Sequence, residues 1–152
     1  MSIMVRDAFL HFAHFIFIFL LASLLAGEAL ILKKSLSGER VAQLQGIDRY
    51  YGIAAGLVIA TGMLLVFFGA KGPVYYAHNA IFWMKMALFV GVALISIGPT
   101  VAYLRWNQRR AADGSIVLDD REYRRLRALL WAQIGLFVLI PLCAALMANG
   151  VS

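Results

Sequence analysis

Residues 51–70 read YGIAAGLVIATGMLLVFFGA, twenty positions without a charged side chain. A helix needs about 20 mostly apolar residues to cross the hydrocarbon of a bilayer, and this stretch meets that length. Three further runs flank it. Residues 8–32 are apolar except for His11, His14, Ser23 and Glu28. Residues 79–104, NAIFWMKMALFVGVALISIGPTVAYL, hold one charge, Lys85. Residues 126–148 hold none beyond Arg127 at their edge. Four spans in a chain of 152 residues leave room only for short loops. The expected architecture is all-α: an integral membrane four-helix bundle forming one transmembrane domain over residues 1–152.

Composition agrees. Hydrophobic residues make up 62% of the chain and charged residues 14%, against roughly 25% charged in an ordinary soluble domain. A soluble fold this small has too high a surface-to-volume ratio to hide so much apolar surface. The mean hydropathy is +0.81. A soluble enzyme, a disordered tail and a nucleic-acid module are excluded, although the net charge of +6 would otherwise suit nucleic acid. The first run is too long for a signal peptide, and Leu25-Ala26-Gly27 is a poor cleavage site. Cys143 is the single cysteine, so no internal disulfide or cysteine metal cluster is available. The six methionines are scattered and read as packing.

The basic residues set an expected orientation. Lys33, Lys34, Arg40 and Arg49 lie between the first and second spans. Arg105, Arg109, Arg110, Arg121, Arg124, Arg125 and Arg127 lie between the third and fourth. The opposite side has Arg6 and Lys71. Under the positive-inside rule both basic loops face the cytoplasm and both termini face out, in a bacterial cytoplasmic (inner) membrane crossed several times. Turn signals fall at Ser37-Gly38, Gly46, Lys71-Gly72-Pro73 and Ala112-Asp113-Gly114-Ser115. Asp119 or Asp120 is the expected N-cap of a fourth helix that begins before the membrane. The basic stretch Arg121 to Arg127 reads as a solvated helix end or as a patch for anionic lipid or an acidic partner. Gly52 and Gly56 form a small-xxx-small pair, which predicts helix–helix contact. Pro99 and Pro141 fall inside spans, and Thr100 is placed to satisfy a freed carbonyl. Tyr75, Tyr76, Phe82 and Trp83 read as an outer interfacial belt.

Ionisable groups inside a span cost about 2.5–3.5 kcal/mol on insertion scales and generally face the bundle interior. The candidates are therefore His11, His14, Glu28 and Lys85. His14 lies six residues into the first span and Lys85 six into the third. At 1.5 Å per residue both sit roughly 9 Å deep on the outer side, so they meet if the helices are neighbours. His11 is one turn from His14 on the same face, and His78 falls near its level. Glu28 lies near the inner boundary, with Lys33, Arg49 or Gln133 as expected partners, or with a part in proton relay. An imidazole in a bundle either bonds a neighbouring helix or ligates haem iron. His11 and His14 are too close on one face to clamp a single haem. His14 with His78, or with the His14 of a second copy, has the separation required. Lys85 either snorkels outward or pairs with an anion such as a haem propionate, a substrate carboxylate or a lipid phosphate.

Three features give the chain a familiar outline: His14 early in the first span, Tyr50-Tyr51-Gly52-Ile53 at the start of the second, and Trp83 with Lys85 in the third. In these it resembles the HemJ family of four-span bacterial protoporphyrinogen oxidases and the CopD-like membrane domains, over roughly residues 9–107. The resemblance implies haem b as cofactor, His14 as a ligand to its iron, and Lys85 as an essential and catalytic residue. Where HemJ proteins carry Pro-Arg near the end of the first span, this chain has Glu28-Ala29-Leu30. Where they carry a later histidine in the third span, it has Ser96. The chain is more similar to a family of small bacterial membrane proteins of unknown function. That likeness rests on Glu28, on Asp48 with Tyr51-Gly52, on Phe82-Trp83 with Lys85, on Pro99-Thr100, and on Leu104-Arg105-Trp106.

The leading expectation is a b-type haem-binding redox protein with His14 on the iron, His11 or His78 as the second ligand, and Lys85 on an anionic group. One alternative is a non-catalytic subunit or assembly factor of a larger membrane complex. A second is a proton or small-ion pathway through His14, Lys85 and Glu28, for which the middle of the bundle supplies only Ser23, Thr61 and Ser96 as hydroxyls. The expected partners are the lipid bilayer and either further copies of the chain or a membrane complex, with no nucleic acid.

Overall fold

Serine, asparagine and aspartate at the helix starts accept backbone N–H groups that have no partner inside the helix. In the computed structural model, which describes residues 2–149, four long helices begin at such residues. Ser2 caps α1 (Ile3–Ile31) and Ser37 caps α2 (Gly38–Phe68). Asn79 caps α4 (Ala80–Arg109) and Asp119 caps α5 (Asp120–Ala148). A short helix, α3 (Gly72–Ala77), joins α2 to α4, with Pro73 in its first turn. Met1 and residues 150–152, the ends of the expected domain, lie outside the described residues.

The long helices run 29, 31, 30 and 29 residues. At 1.5 Å per residue each is about 44 Å long and exceeds the roughly 30 Å hydrocarbon core. The chain is thus an all-α membrane bundle with four helices able to cross the bilayer. Large apolar side chains cover its outside, among them Phe9, Phe12, Phe19, Leu94 and Val138. A surface of that kind is stable against lipid and unstable in water.

Helix α1 packs along α2 and α4 along α5, giving two hairpins that meet chiefly through α1–α5 and α2–α4. Much of the main core gathers at the basic-loop end, where Leu21, Leu25, Leu44, Tyr103, Trp106, Leu126 and Leu130 are buried. A smaller cluster of Tyr76, Ile81, Cys143 and Met147 closes the terminal end. There Asp7 Oδ1 accepts the Ala70 N–H at 2.8 Å, tying α1 to the end of α2.

Several sequence expectations change. The second helix begins at Gly38 rather than near Tyr51, and Gly46 lies inside it instead of breaking the loop. Ser37 accepts the Arg40 N–H at 3.4 Å, and Val41 and Leu44 are fully buried, so an amphipathic extension carries the helix beyond its apolar run. Among the described residues Gly52 and Gly56 make no close helix–helix contact. A Cβ on either would meet nothing within 4 Å, because the 3.6-residue period turns Tyr51, Ala54 and Val58 inward and the glycines outward. The two basic loops also pair. Strand β1 (Ser35–Leu36) lies antiparallel to β2 (Ile116–Val117), an element too short for periodicity to reveal. The Lys34–Asp120 ion pair at 2.6 Å closes this ribbon. Gly38 abuts the loop backbone, where a Cβ would stand 2.5 Å from the Asp113 carbonyl oxygen. Asp113 accepts from the Ser115 N–H and hydroxyl, which hold its carboxyl below the usual carboxylate range.

Candidate functional site

A cavity of about 370 Å³ opens between the hairpins toward the terminal end, within the roughly 300–1,000 Å³ range of small-molecule sites. Helices α1, α2, α4 and α5 all line it, and most of its wall is aliphatic and aromatic. Its polar groups are His11, His14, Lys71, Tyr76 and Lys85. Helices α1 and α4 do not pack closely on one another, yet the fold brings His14 and Lys85 to the wall of one cavity.

The hydrogen bonds around His14 fit one tautomer of its ring. Thr61 Oγ1 lies 2.7 Å from the Leu57 carbonyl and 2.9 Å from His14 Nδ1. With the Thr61 hydroxyl donating to the Leu57 carbonyl, the shorter of its two backbone contacts, its oxygen is left to accept from His14 Nδ1–H. That leaves Nε2 with its lone pair on a side chain lining the cavity. The ring rests against Gly62, where a Cβ would stand 3.3 Å from His14 Cε1. A histidine that ligates a metal through one nitrogen commonly donates its other N–H to an oxygen, as here.

His11 lies one turn away in the same cavity, with Nδ1 3.0 Å from the Asp7 carbonyl. Lys85 is half-buried, and its Nζ stands 5.5 Å from the centroid of the Phe82 ring. Among the described residues no carboxylate pairs with it; the ion pairs are Lys34–Asp120 and Arg109–Glu122, and His11 Nδ1 stands 3.5 Å from Asp7 Oδ2. His78 does not join the group. It is exposed at the end of α3, and its Nδ1 bonds the Val74 carbonyl at 2.9 Å. The pairing of His14 with His78 across a ring is thus not formed, because α3 turns His78 back onto its own helix. Three methionines, Met63, Met86 and Met147, also line the cavity.

A second polar group lies in the core at the basic-loop end, with one contribution from each long helix. Glu28 of α1 is 3% exposed, and its Oε2 accepts from the Tyr103 hydroxyl of α4 at 3.3 Å. Gln133 of α5 is 1% exposed, and its Oε1 accepts from the Tyr51 hydroxyl of α2 at 3.4 Å. Thr100, one turn before Tyr103, donates to Asp48 Oδ1 at 2.7 Å, and the Ser96 carbonyl of its own helix lies at 3.1 Å. Among the described residues Glu28 Oε1 and Gln133 Nε2 have no hydrogen-bond partner. The expected pairing of Glu28 with Lys33, Arg49 or Gln133 is replaced by a tyrosine hydroxyl. Basic side chains at that end stay in water, while Tyr103 is already buried beside the carboxyl. Asp48, Tyr51 and Tyr103 had no assigned role in the sequence reading, although Asp48 and Tyr51, like Thr100, fall in the pattern of the small membrane-protein family.

Can a haem fit the donor set in the cavity? One imidazole, one lysine that pairs with no carboxylate among the described residues, and an apolar wall from four helices are the kinds of group that hold a b-type haem with a single histidine ligand. No group of three or more His, Cys, Asp or Glu able to hold a bare metal ion occurs among the described residues.

The family model described as "Predicted membrane protein (DUF2214)" matches residues 6–152, so the chain belongs to that family. No curated protein and no solved structure matches the chain, and the likeness to HemJ and CopD-like proteins gains no support from these comparisons.

Proposed function

We propose that this DUF2214 protein binds an apolar molecule bearing an anionic group in the cavity between its hairpins, and that the molecule is a b-type haem. The observation that carries the reading is the His14–Thr61 hydrogen bond, which leaves His14 Nε2 as a free donor atom in a cavity that Lys85 also lines. His14 would hold the iron. Lys85, with no carboxylate partner of its own, would hold a propionate at the same depth. The apolar walls would exclude water from both contacts. A bound haem supplies a one-electron iron couple whose potential depends on the axial ligand and on burial. His11 shares a face with His14 and stands as a neighbouring base rather than a second clamp. The basic-loop end faces the cytoplasm in this reading, which places the cavity in the outer half of a bacterial inner membrane.

Haem titration of detergent-purified apoprotein tests the proposal. The parent protein should give a saturable Soret band at one haem per chain. His14→Ala should lose it, and Lys85→Met should weaken it while retaining the spectrum. Equal binding by all three proteins would overturn the assignment.

A further inference from the structure

Arginines at the bilayer surface are ordinarily solvated, but four of them here border a groove that continues into the span region. The groove, about 480 Å³, runs between α4 and α5 at the basic-loop end. Arg105 and Arg109 border it from α4, Arg121 and Arg125 from α5. Each pair is spaced i,i+4, so each occupies one face of its helix, and the two faces look across the groove at each other.

Neutralisation within the chain is partial. Arg109 pairs with Glu122 at 3.0 Å, and Trp106 Nε1 donates to the same carboxylate at 3.0 Å. Asp119 is occupied as the α5 cap, accepting the Glu122 N–H at 2.7 Å. Among the described residues Arg105, Arg121 and Arg125 have no ion-pair partner. Below them the groove turns apolar, walled by Ile97, Val101 and Leu126. Ile97 is 55% exposed and Val101 36% exposed. Eight residues separate Ile97 from Arg105, about 12 Å along the helix. At Gly98 the helices approach closely, since a Cβ there would stand 2.7 Å from Leu129 Cδ1.

A ligand for this groove needs negative charge at one end and an apolar body alongside it, lying parallel to the helices. A free anion would leave the apolar wall uncovered, and a zwitterionic lipid would bring its own cation beside three guanidinium groups that have no ion-pair partner among the described residues. We propose that the α4–α5 groove binds one anionic phospholipid, its phosphate among Arg105, Arg121 and Arg125 and an acyl chain along Ile97 and Val101. Guanidinium suits this role because its fixed fork of donors matches two phosphate oxygens at once. The site shares no residue with the His14 cavity, so the inference stands independently of the haem reading.

Native mass spectrometry of the full chain in detergent, with phosphatidylglycerol, phosphatidylcholine or glycerol phosphate added, provides the test. Phosphatidylglycerol should form a one-to-one adduct at concentrations where the other two do not. The triple variant Arg105→Gln, Arg121→Gln, Arg125→Gln should weaken that adduct on the order of a hundredfold, from the contribution of each basic residue near an anionic surface. A charge-matched control at Lys33, Arg110 and Arg127, also to Gln, should leave it nearly unchanged. All six positions are exposed, and circular dichroism should show parent helicity in both variants. Equal loss in the control would reduce the effect to net charge and overturn the site. Equal binding of phosphatidylcholine, or full competition by glycerol phosphate, would overturn the claim of an anionic lipid held by head and tail together.

Discussion

Thr61→Val should detach His14 from its support without opening a hole. Valine has the shape of threonine, and Thr61 is 8% exposed, so the substitution exchanges a hydroxyl for a methyl in a packed setting. The Leu57 carbonyl loses an extra donor but keeps its place in the helix. His14 Nδ1–H loses the acceptor it has at 2.9 Å. Interhelical hydrogen bonds of this kind in membranes average about 0.6 kcal/mol, with a maximum near 1.7 kcal/mol. The expected fall in stability is therefore about 0.6–1.7 kcal/mol, readable as an earlier transition in SDS unfolding. The effect on ligand binding should be larger, because an unsupported imidazole loses both its orientation and its tautomer. Loss of an outer-shell partner typically costs 10–100-fold in affinity, or about 1.4–2.8 kcal/mol. Haem titration followed by absorbance reads this directly, and Thr61→Ser should restore most of it. If Thr61→Val binds haem as tightly as the parent while its stability falls as calculated, the His14–Thr61 bond is structural only and the ligand argument fails.

Tyr103→Phe removes the one hydrogen-bond donor to the buried Glu28 carboxyl among the described residues. It should cost about 1–3 kcal/mol in SDS unfolding, whereas Glu28→Gln, which keeps an acceptor for Tyr103, should cost less. Combining the two should show coupling of about 0.5–3 kcal/mol; strict additivity would mean that the contact is energetically idle. Gly38→Ala drives a Cβ against the Asp113 carbonyl oxygen. It should destabilise the chain by about 1–3 kcal/mol and speed hydrogen exchange at the Leu118 N–H, which bonds the Lys34 carbonyl at 2.9 Å. In a Cys143→Ser background, an impermeant maleimide should label Val74→Cys from outside the cell and Ser115→Cys only after lysis. The reverse pattern would invert the proposed orientation.

The spans were legible because a bilayer demands about 20 apolar residues and the chain supplies four such runs. That His14 and Lys85 line one cavity is in keeping with their depth, since helix rise converts residue number into depth. The basic-end extension of α2 was not, because Gly38–Tyr50 mixes charge with the buried Val41 and Leu44 and so reads as loop. Glu28 attracted basic partners on paper because charge is visible in a sequence. Its actual neighbour, Tyr103, is 75 residues away and carries no charge. Thr61 was noted only as one of the few mid-span hydroxyls. A threonine that bonds its own helix gives no sign of what else it touches. His78 was placed by depth alone, and depth carries no information about α3, whose turn directs the ring to the Val74 carbonyl.

The most direct test of the central claim is the absorption spectrum of protein purified in detergent from haem-replete cells, oxidised and then dithionite-reduced, beside His14→Ala. The account predicts a Soret band with sharp reduced α and β bands in the parent and none in the variant. A colourless parent protein, or a spectrum unchanged by His14→Ala, would contradict it.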